Sequence, residues 1–350
     1  MPEHRAIPES AEITRSAAVP GSAATLAIDD LRVAFLPRGA REACRLVTAV
    51  RGVSLRVDPR ECLGLVGESG SGKTQIFLAA LGLLPPNSAA TGRVRFQGED
   101  LLGETSGRLN RVRGSRASMI FQDPMTSLTP HLKVGVQIAE SLVCHEGVSW
   151  RDAERAALGM LERVSVPEAA RRMRQYPHEL SGGLRQRVTI GMSLICKPAL
   201  LIADEPTTAL DVTLQAQIIE LLRSMRTEIG MSLVLISHDL AVVGQLAERI
   251  AVMYGGRIVE CGPARQILHA PRHPYTAGLL ECTPDLTRPV IGRMPTLGGQ
   301  PPSAGTQIEG CAFAPRCPRA AERCRVERPP LETAAGCPES TVACHFPLTA

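Results

Sequence analysis

The stretch Gly67-Glu68-Ser69-Gly70-Ser71-Gly72-Lys73-Thr74 has the residue types and spacing to hold phosphate: glycine, four residues, glycine, lysine, hydroxyl. Glycines let the backbone turn tightly, so that successive N–H groups point inward at phosphate oxygens. Lys73 then places an ammonium on the β- and γ-phosphates, and Thr74 offers its hydroxyl to Mg²⁺. Asp204-Glu205 closes the apolar run Leu200-Leu201-Ile202-Ala203. One carboxylate there can hold Mg²⁺, directly or through water, and the other can orient an attacking water as general base. His238 follows a neighbouring apolar run and falls beside the same phosphate site. Gly182-Gly183 precedes an apolar helical stretch, an open helix N-terminus that favours an anion. Because the first loop already occupies one phosphate-binding face, this second N-terminus needs another ligand or another copy of the chain.

These groups must be positioned by strands and helices. Cys62-Leu63-Gly64-Leu65-Val66 reads as a buried parallel strand, and 76–84 as a helix stopped by Pro85-Pro86-Asn87. Alternation predicts strands over 25–35 and 47–57, with a polar loop over 36–45 between them. Further strands are predicted over 92–96, 117–121, 200–203, 233–236, 250–253 and 258–261. Helices are predicted over 136–144, 152–164, 184–195 and 213–229, the last capped by Gly230. Arg171, Arg172 and Arg174 read as a solvated face. Apolar strands alternating with helices predict a parallel, doubly wound α/β sheet, with Lys73, Gln122, Asp204, Glu205 and His238 just past strand C-termini, where such folds bind ligands.

Composition narrows the class. The chain has 350 residues, long enough for a large core and two domains, and its 44% apolar content is that of a globular protein. No apolar run approaches a membrane span. Residues 1–24 lack the pattern of a secretory signal and read as a disordered tail, so a cytoplasmic protein is expected. A net charge of +4 and 3% aromatics argue against nucleic-acid binding. Lysine is rare, occurring only at Lys73, Lys133 and Lys197. Of the eleven cysteines, Cys311, Cys317, Cys324, Cys337 and Cys344 crowd into the last forty residues, a shift in composition that needs its own explanation.

Leu180-Ser181-Gly182-Gly183-Leu184-Arg185-Gln186-Arg187 resembles the signature motif of the ABC-transporter ATPases. The resemblance runs from about residue 25 to 262, with every motif in family order. The glycine-rich loop matches Walker A, 200–205 Walker B, Gln122 the Q-loop, Ala209-Leu210-Asp211 the D-loop and His238 the switch histidine. Phe35 sits where the family places the aromatic that stacks on adenine, although it reads equally well as a core strand residue. The ATP site this implies comprises Phe35, Gly67, Glu68, Ser69, Gly70, Ser71, Gly72, Lys73, Thr74, Gln75, Gln122, Ser181, Gly182, Gly183, Asp204 and Asp211. Glu205, His238 and Gln122 are its catalytic set, and Thr74, Gln122 and Asp204 its Mg²⁺ ligands. The implied architecture is a P-loop NTPase core (25–123 and 186–262), an inserted helical subdomain (124–185) and a small Cys-rich C-terminal extension (263–350).

Phe121-Gln122-Asp123-Pro124-Met125-Thr126-Ser127-Leu128 and His273-Pro274-Tyr275-Thr276 are similar to the oligopeptide/dipeptide/nickel importer subfamily. In that subfamily the tail carries a cysteine set matched by Cys311, Cys317, Cys324 and Cys344, with Cys337 to spare. Some members hold an iron–sulfur cluster there, so a [4Fe-4S] cluster is expected; zinc or free thiols stay open, although the spacing departs from common zinc pairs. The resemblance implies an ATPase subunit of a bacterial importer for dipeptides or oligopeptides, peripheral on the cytoplasmic face of the inner membrane. Two permease subunits, an extracytoplasmic solute-binding protein and a second, related ATPase as heterodimer partner are implied with it. ATP held by Lys73, Thr74 and Gln122 of one cassette is closed over by Ser181 and Gly183 of the other. The alternatives are an importer of nickel or another small solute, an exporter ATPase, or a soluble ABC ATPase acting on DNA or ribosomes.

Overall fold

The computed structural model describes residues 24–36, 46–123, 127–208, 210–282, 296–303 and 305–349. The expectations for residues 1–23, the loop at 37–45, Pro124 to Thr126 and Ala209 lie outside these. In chain order the elements begin with β1 (Leu26–Phe35), β2 (Val47–Val57), β3 (Cys62–Val66), α1 (Lys73–Ala80), β4 (Ser88–Phe96), β5 (Glu99–Asp100), α2 (Ser106–Asn110) and β6 (Ala117–Ile120). A helical stretch follows: α3 (Val134–Glu146), α4 (Trp150–Arg163), α5 (Ala169–Arg172) and α6 (Gly182–Leu194). Then come β7 (Leu200–Asp204), α7 (Val212–Ile229), β8 (Ser232–Ser237), α8 (Leu240–Gly244), β9 (Arg249–Tyr254) and β10 (Arg257–Pro263). The chain closes with α9 (Ala264–His269), α10 (Pro274–Glu281), α11 (Glu322–Val326), β11 (Glu332–Ala334) and β12 (Cys337–Val342).

The strands do not form one parallel sheet. Among the described residues they divide into a four-stranded sheet in the order β2-β1-β4-β5 and an eight-stranded sheet in the order β11-β12-β10-β9-β3-β8-β7-β6. Side-chain patterning explains the division. β3, β6, β7 and β8 are buried at every position, as strands covered on both faces must be, and they pair in parallel with β9 at one side. β1 mixes buried and exposed positions, and its pairings with β2 and β4 are antiparallel. β10 turns back antiparallel on β9, and β12 adds to β10 through Glu260 opposite Val342 and Cys261 opposite Thr341. The C-terminal extension is therefore woven into the main sheet and is not a separate lobe.

Two apolar clusters sandwich the large sheet. One lies between it and the antiparallel sheet, with Leu31, Val50, Phe77, Leu65, Ile202 and Ile236 fully or almost fully buried. The other runs from Val66, Leu201 and Leu235 into Ile138, Leu161 and Val188 of the helices and on to Tyr275 and Phe313. The helical insert thus shares its core with the sheet. Each such side chain contributes ~1.5–3 kcal/mol on burial, so the shared cluster is what fixes α3, α4 and α6 to the core. Within the insert, Ser149 caps α4 by accepting from the Asp152 N–H, and buried Gln137 staples the preceding loop through Thr129 and Leu132. Arg171 and Arg174 are exposed, and Arg172 is half-buried.

Candidate nucleotide site

The glycine-rich loop leaves the buried end of β3 and enters α1 at Lys73. Its glycines are required for different reasons. A Cβ on Gly67 would lie 2.2 Å from the Met253 carbonyl oxygen, and one on Gly72 would lie 2.6 Å from the Ala49 oxygen. Gly70 faces open space, but its φ of +78° favours glycine. Gly72 has φ 95° and gives the helix its left-handed entry. Lys73 is buried, and its ammonium donates to the Gly67 and Glu68 carbonyls at 2.7 and 3.0 Å. Burial lowers its pKa, against the pull of the Glu205, Asp204 and Glu68 carboxylates. Among the described residues Ser71 Oγ and Gln75 Oε1 are buried without a hydrogen-bond partner, polar atoms of the kind a bound ligand satisfies.

The acidic pair sits at the end of β7, two strands away in the same sheet. Asp204 is buried, which raises its pKa, and its carboxylate accepts from the Thr74 hydroxyl. Glu205 holds a left-handed φ of 46°, a conformation that costs a non-glycine residue ~1–3 kcal/mol. Its N–H donates to the Ile236 carbonyl at 2.9 Å. Its carboxylate collects three groups: Gln122 Nε2 at 3.1 Å, Thr208 Oγ1 at 2.8 Å and His238 Nδ1 at 3.3 Å. Gln122, Asp204, Glu205 and His238, read from separate strand ends, therefore meet at one corner. Thr208 was not foreseen; it follows Glu205 by one short turn, and the chain pattern offers no signal for it.

Other expected residues are placed differently. Ser181 caps α6, its Oγ accepting the Leu184 N–H at 3.4 Å, while Ser181 and Gly182 are exposed. Gly183 rests against Leu214, whose N–H is capped by Asp211 Oδ1 at 2.9 Å. The signature segment and the Asp211 turn are thus neighbours, and none of their hydrogen bonds among the described residues reaches the phosphate loop. Phe35 is half-buried, packs on the apolar cluster and stands opposite Val47 and Ser88. Glu68 does not offer its side chain to a phosphate: Arg316 grips its carboxylate at 2.7 and 2.9 Å, and Tyr275 Oη accepts its N–H at 2.9 Å.

In the C-terminal extension Cys311, Cys317, Cys324 and Cys344 line one apolar pocket floored by Phe313 and His273. Burial raises the pKa of Cys311 and Cys317, and that of Cys344 to about 11. Cys337 lies apart, its Sγ 3.2 Å from Gln266 Oε1. Among the described residues no three His, Cys, Asp or Glu side chains are gathered tightly enough to hold a metal ion, the thiols included.

Comparison with known proteins fits this geometry. Residues 50–208 match the family model described as ABC transporter, and 259–324 match that described as oligopeptide/dipeptide transporter, C-terminal region. The chain is similar to the oligopeptide transport ATP-binding protein OppD of Salmonella typhimurium, 46% identical over 92% of this chain and 94% of that one. OppD of Escherichia coli is 47% identical over 88% and 90%. A putative peptide import ATP-binding protein of Brucella abortus is 48% identical over 83% and 87%. Among solved structures, the dimeric ATP-binding cassette MJ0796 in a post-hydrolysis state with ADP and Pi superposes with a TM-score of 0.60, at 25% identity, over 69% of this chain and 99% of that one. The chain belongs to the ATP-binding subunits of the oligopeptide/dipeptide ABC transporters.

Proposed function

We propose that this chain binds and hydrolyses ATP to drive import of dipeptides or oligopeptides, working on the cytoplasmic face of the inner membrane with two permease subunits and a solute-binding protein. The convergence of Gln122, Thr208 and His238 on the Glu205 carboxylate carries the reading. A carboxylate fixed by three partners at the end of a central strand, in the sheet that also carries the phosphate loop, is placed to orient a water molecule and take its proton. Lys73 supplies positive charge to the β- and γ-phosphates, and loop N–H groups supply the rest. The donor set at Thr74, Gln122 and Asp204 suits a hard cation, and Mg²⁺ bound there would neutralise charge on the transferred phosphoryl group. Ser181, exposed at the tip of α6, and half-buried Gly183 beside it serve the nucleotide of a second cassette, and a related but different ATPase subunit is the expected partner. Glu205→Gln should still bind ATP and lose about 10²–10⁴-fold in turnover. Wild-type turnover in that variant would overturn the assignment. Co-purification from the native membrane should yield two permeases and a second ATPase subunit; ribosomes or DNA-repair proteins in their place would remove the transport reading.

The four-thiol pocket is proposed to hold an iron–sulfur cluster through Cys311, Cys317, Cys324 and Cys344. A tetrahedral zinc site needs thiolate sulfurs about 3.8 Å apart, given its Zn–S bond length, whereas a cubane accepts a wider frame. Four thiols lining one apolar pocket are what supports the larger group. The raised pKa values of Cys311, Cys317 and Cys344 mean that protons must leave as ligands bind. Iron and sulfide content after anaerobic purification tests this, and stoichiometric zinc without iron would refute it.

A further inference from the structure

The C-terminal extension reaches the phosphate loop through two side chains, Tyr275 and Arg316, and the charged one is Arg316. Arg316 ends the turn Ala314–Arg316, which separates Cys311 from Cys317. Its side chain is only 5% exposed, and the Glu68 side chain it meets is 23% exposed. A guanidinium has five N–H donors, and here each finds an acceptor. Nε donates to the Gly298 carbonyl at 2.8 Å. Nη1 donates to Glu68 Oε2 at 2.7 Å and Tyr254 Oη at 3.1 Å. Nη2 donates to Glu68 Oε1 at 2.9 Å and the Leu297 carbonyl at 3.3 Å. The cation also sits 5.7 and 5.9 Å from the ring centroids of Tyr254 and Phe313. Hydrogen bonds to Glu68 raise the arginine's pKa further.

The residue held in this way is part of the loop itself. The Glu68 N–H is fixed by Tyr275 Oη at 2.9 Å, and its carbonyl accepts both the Ser71 N–H at 3.2 Å and the Lys73 ammonium at 3.0 Å. The order of contact is Arg316, Glu68, Lys73. Arg316 also cancels a carboxylate that would otherwise stand uncompensated beside an anion site, and Glu68 is one of the charges that Lys73 feels. Both roles bear on phosphate.

We infer that Arg316 is a positioning residue of the ATP site, holding Glu68 so that the phosphate loop and Lys73 are set for the nucleotide, and that through it the extension belongs to that site. The inference rests on the ATP reading of the loop. Its signature is a split between KM and kcat, because Arg316 touches neither the attacking water nor Glu205.

The experiment measures ATP turnover by the complete chain as a function of ATP concentration. Arg316→Met should raise KM for ATP about tenfold or more, the worth of a charge-assisted pair, and leave kcat within about threefold. Adding Glu68→Gln to Arg316→Met removes the stranded carboxylate and should return KM to within about threefold of wild type. An unchanged KM in Arg316→Met, or a pair of changes that merely add, would overturn the inference. If Arg316→Met does not fold, Tyr275→Phe removes only the acceptor of the Glu68 N–H and carries the test: a raised KM supports the brace, an unchanged KM overturns it. Wild type that fails to bind ATP, as Lys73→Ala should, overturns the nucleotide reading along with this one. Wild type that binds while the variants match it overturns this inference alone.

Discussion

The corner around Lys73 and the tip of α6 carry the two halves of the expected nucleotide site, and they are built in opposite ways. At the corner, Lys73 and Asp204 are buried, and Glu205 has four partners, Gln122, Thr208, Ile236 and His238. At the tip, Ser181 and Gly182 are exposed, and among the described residues the Ser181 hydroxyl bonds its own helix, at the Leu184 N–H. Burial and cross-bracing pre-organise charge where a reaction develops it. An exposed helix N-terminus with small residues is instead a surface that can approach another molecule closely. On the proposed function, the difference teaches that one half of the site is assembled within one chain and that the other half awaits an interface.

That contrast can be broken by experiment. Lys73→Ala should lower the ATP affinity of the single chain by about 10²–10³-fold, measured by titration with a fluorescent ATP analogue. Ser181→Arg should leave single-chain affinity unchanged and lower turnover of the assembled transporter by roughly tenfold to a hundredfold, because bulk at the tip blocks approach. Equal loss of single-chain affinity in both variants would erase the distinction. Thr208→Val removes one hydrogen bond to the Glu205 carboxylate and should lower turnover by about tenfold with affinity retained. Asp211→Ala strips the cap from α7 and should destabilise the chain by ~1 kcal/mol, seen in a denaturant midpoint.

The central strands and the phosphate loop were legible in the sequence, because β3, β7 and β8 are continuous apolar runs and the glycine spacing is restrictive. The ends of α7 were legible to one residue, since Gly230 takes the left-handed cap at φ 75°. Sheet membership was not. β1 and β2 announce themselves by alternation, but which strand they pair with depends on contacts that no local pattern encodes. The same holds for Arg316 and Tyr275: their partner, Glu68, lies 248 and 207 positions away in the chain. Thr208 was missed for another reason, a hydroxyl being too common near a carboxylate to stand out.

The strand β12 has a bearing on how the protein can be shortened. Cys337–Val342 covers the outer edge of β10 at Glu260 and Cys261, and Glu332–Ala334 in turn covers β12. A chain cut before Glu332 would present the β10 backbone as a bare sheet margin. Such margins recruit strands from other molecules. The shortened protein should therefore be prone to aggregate, even with its nucleotide corner intact.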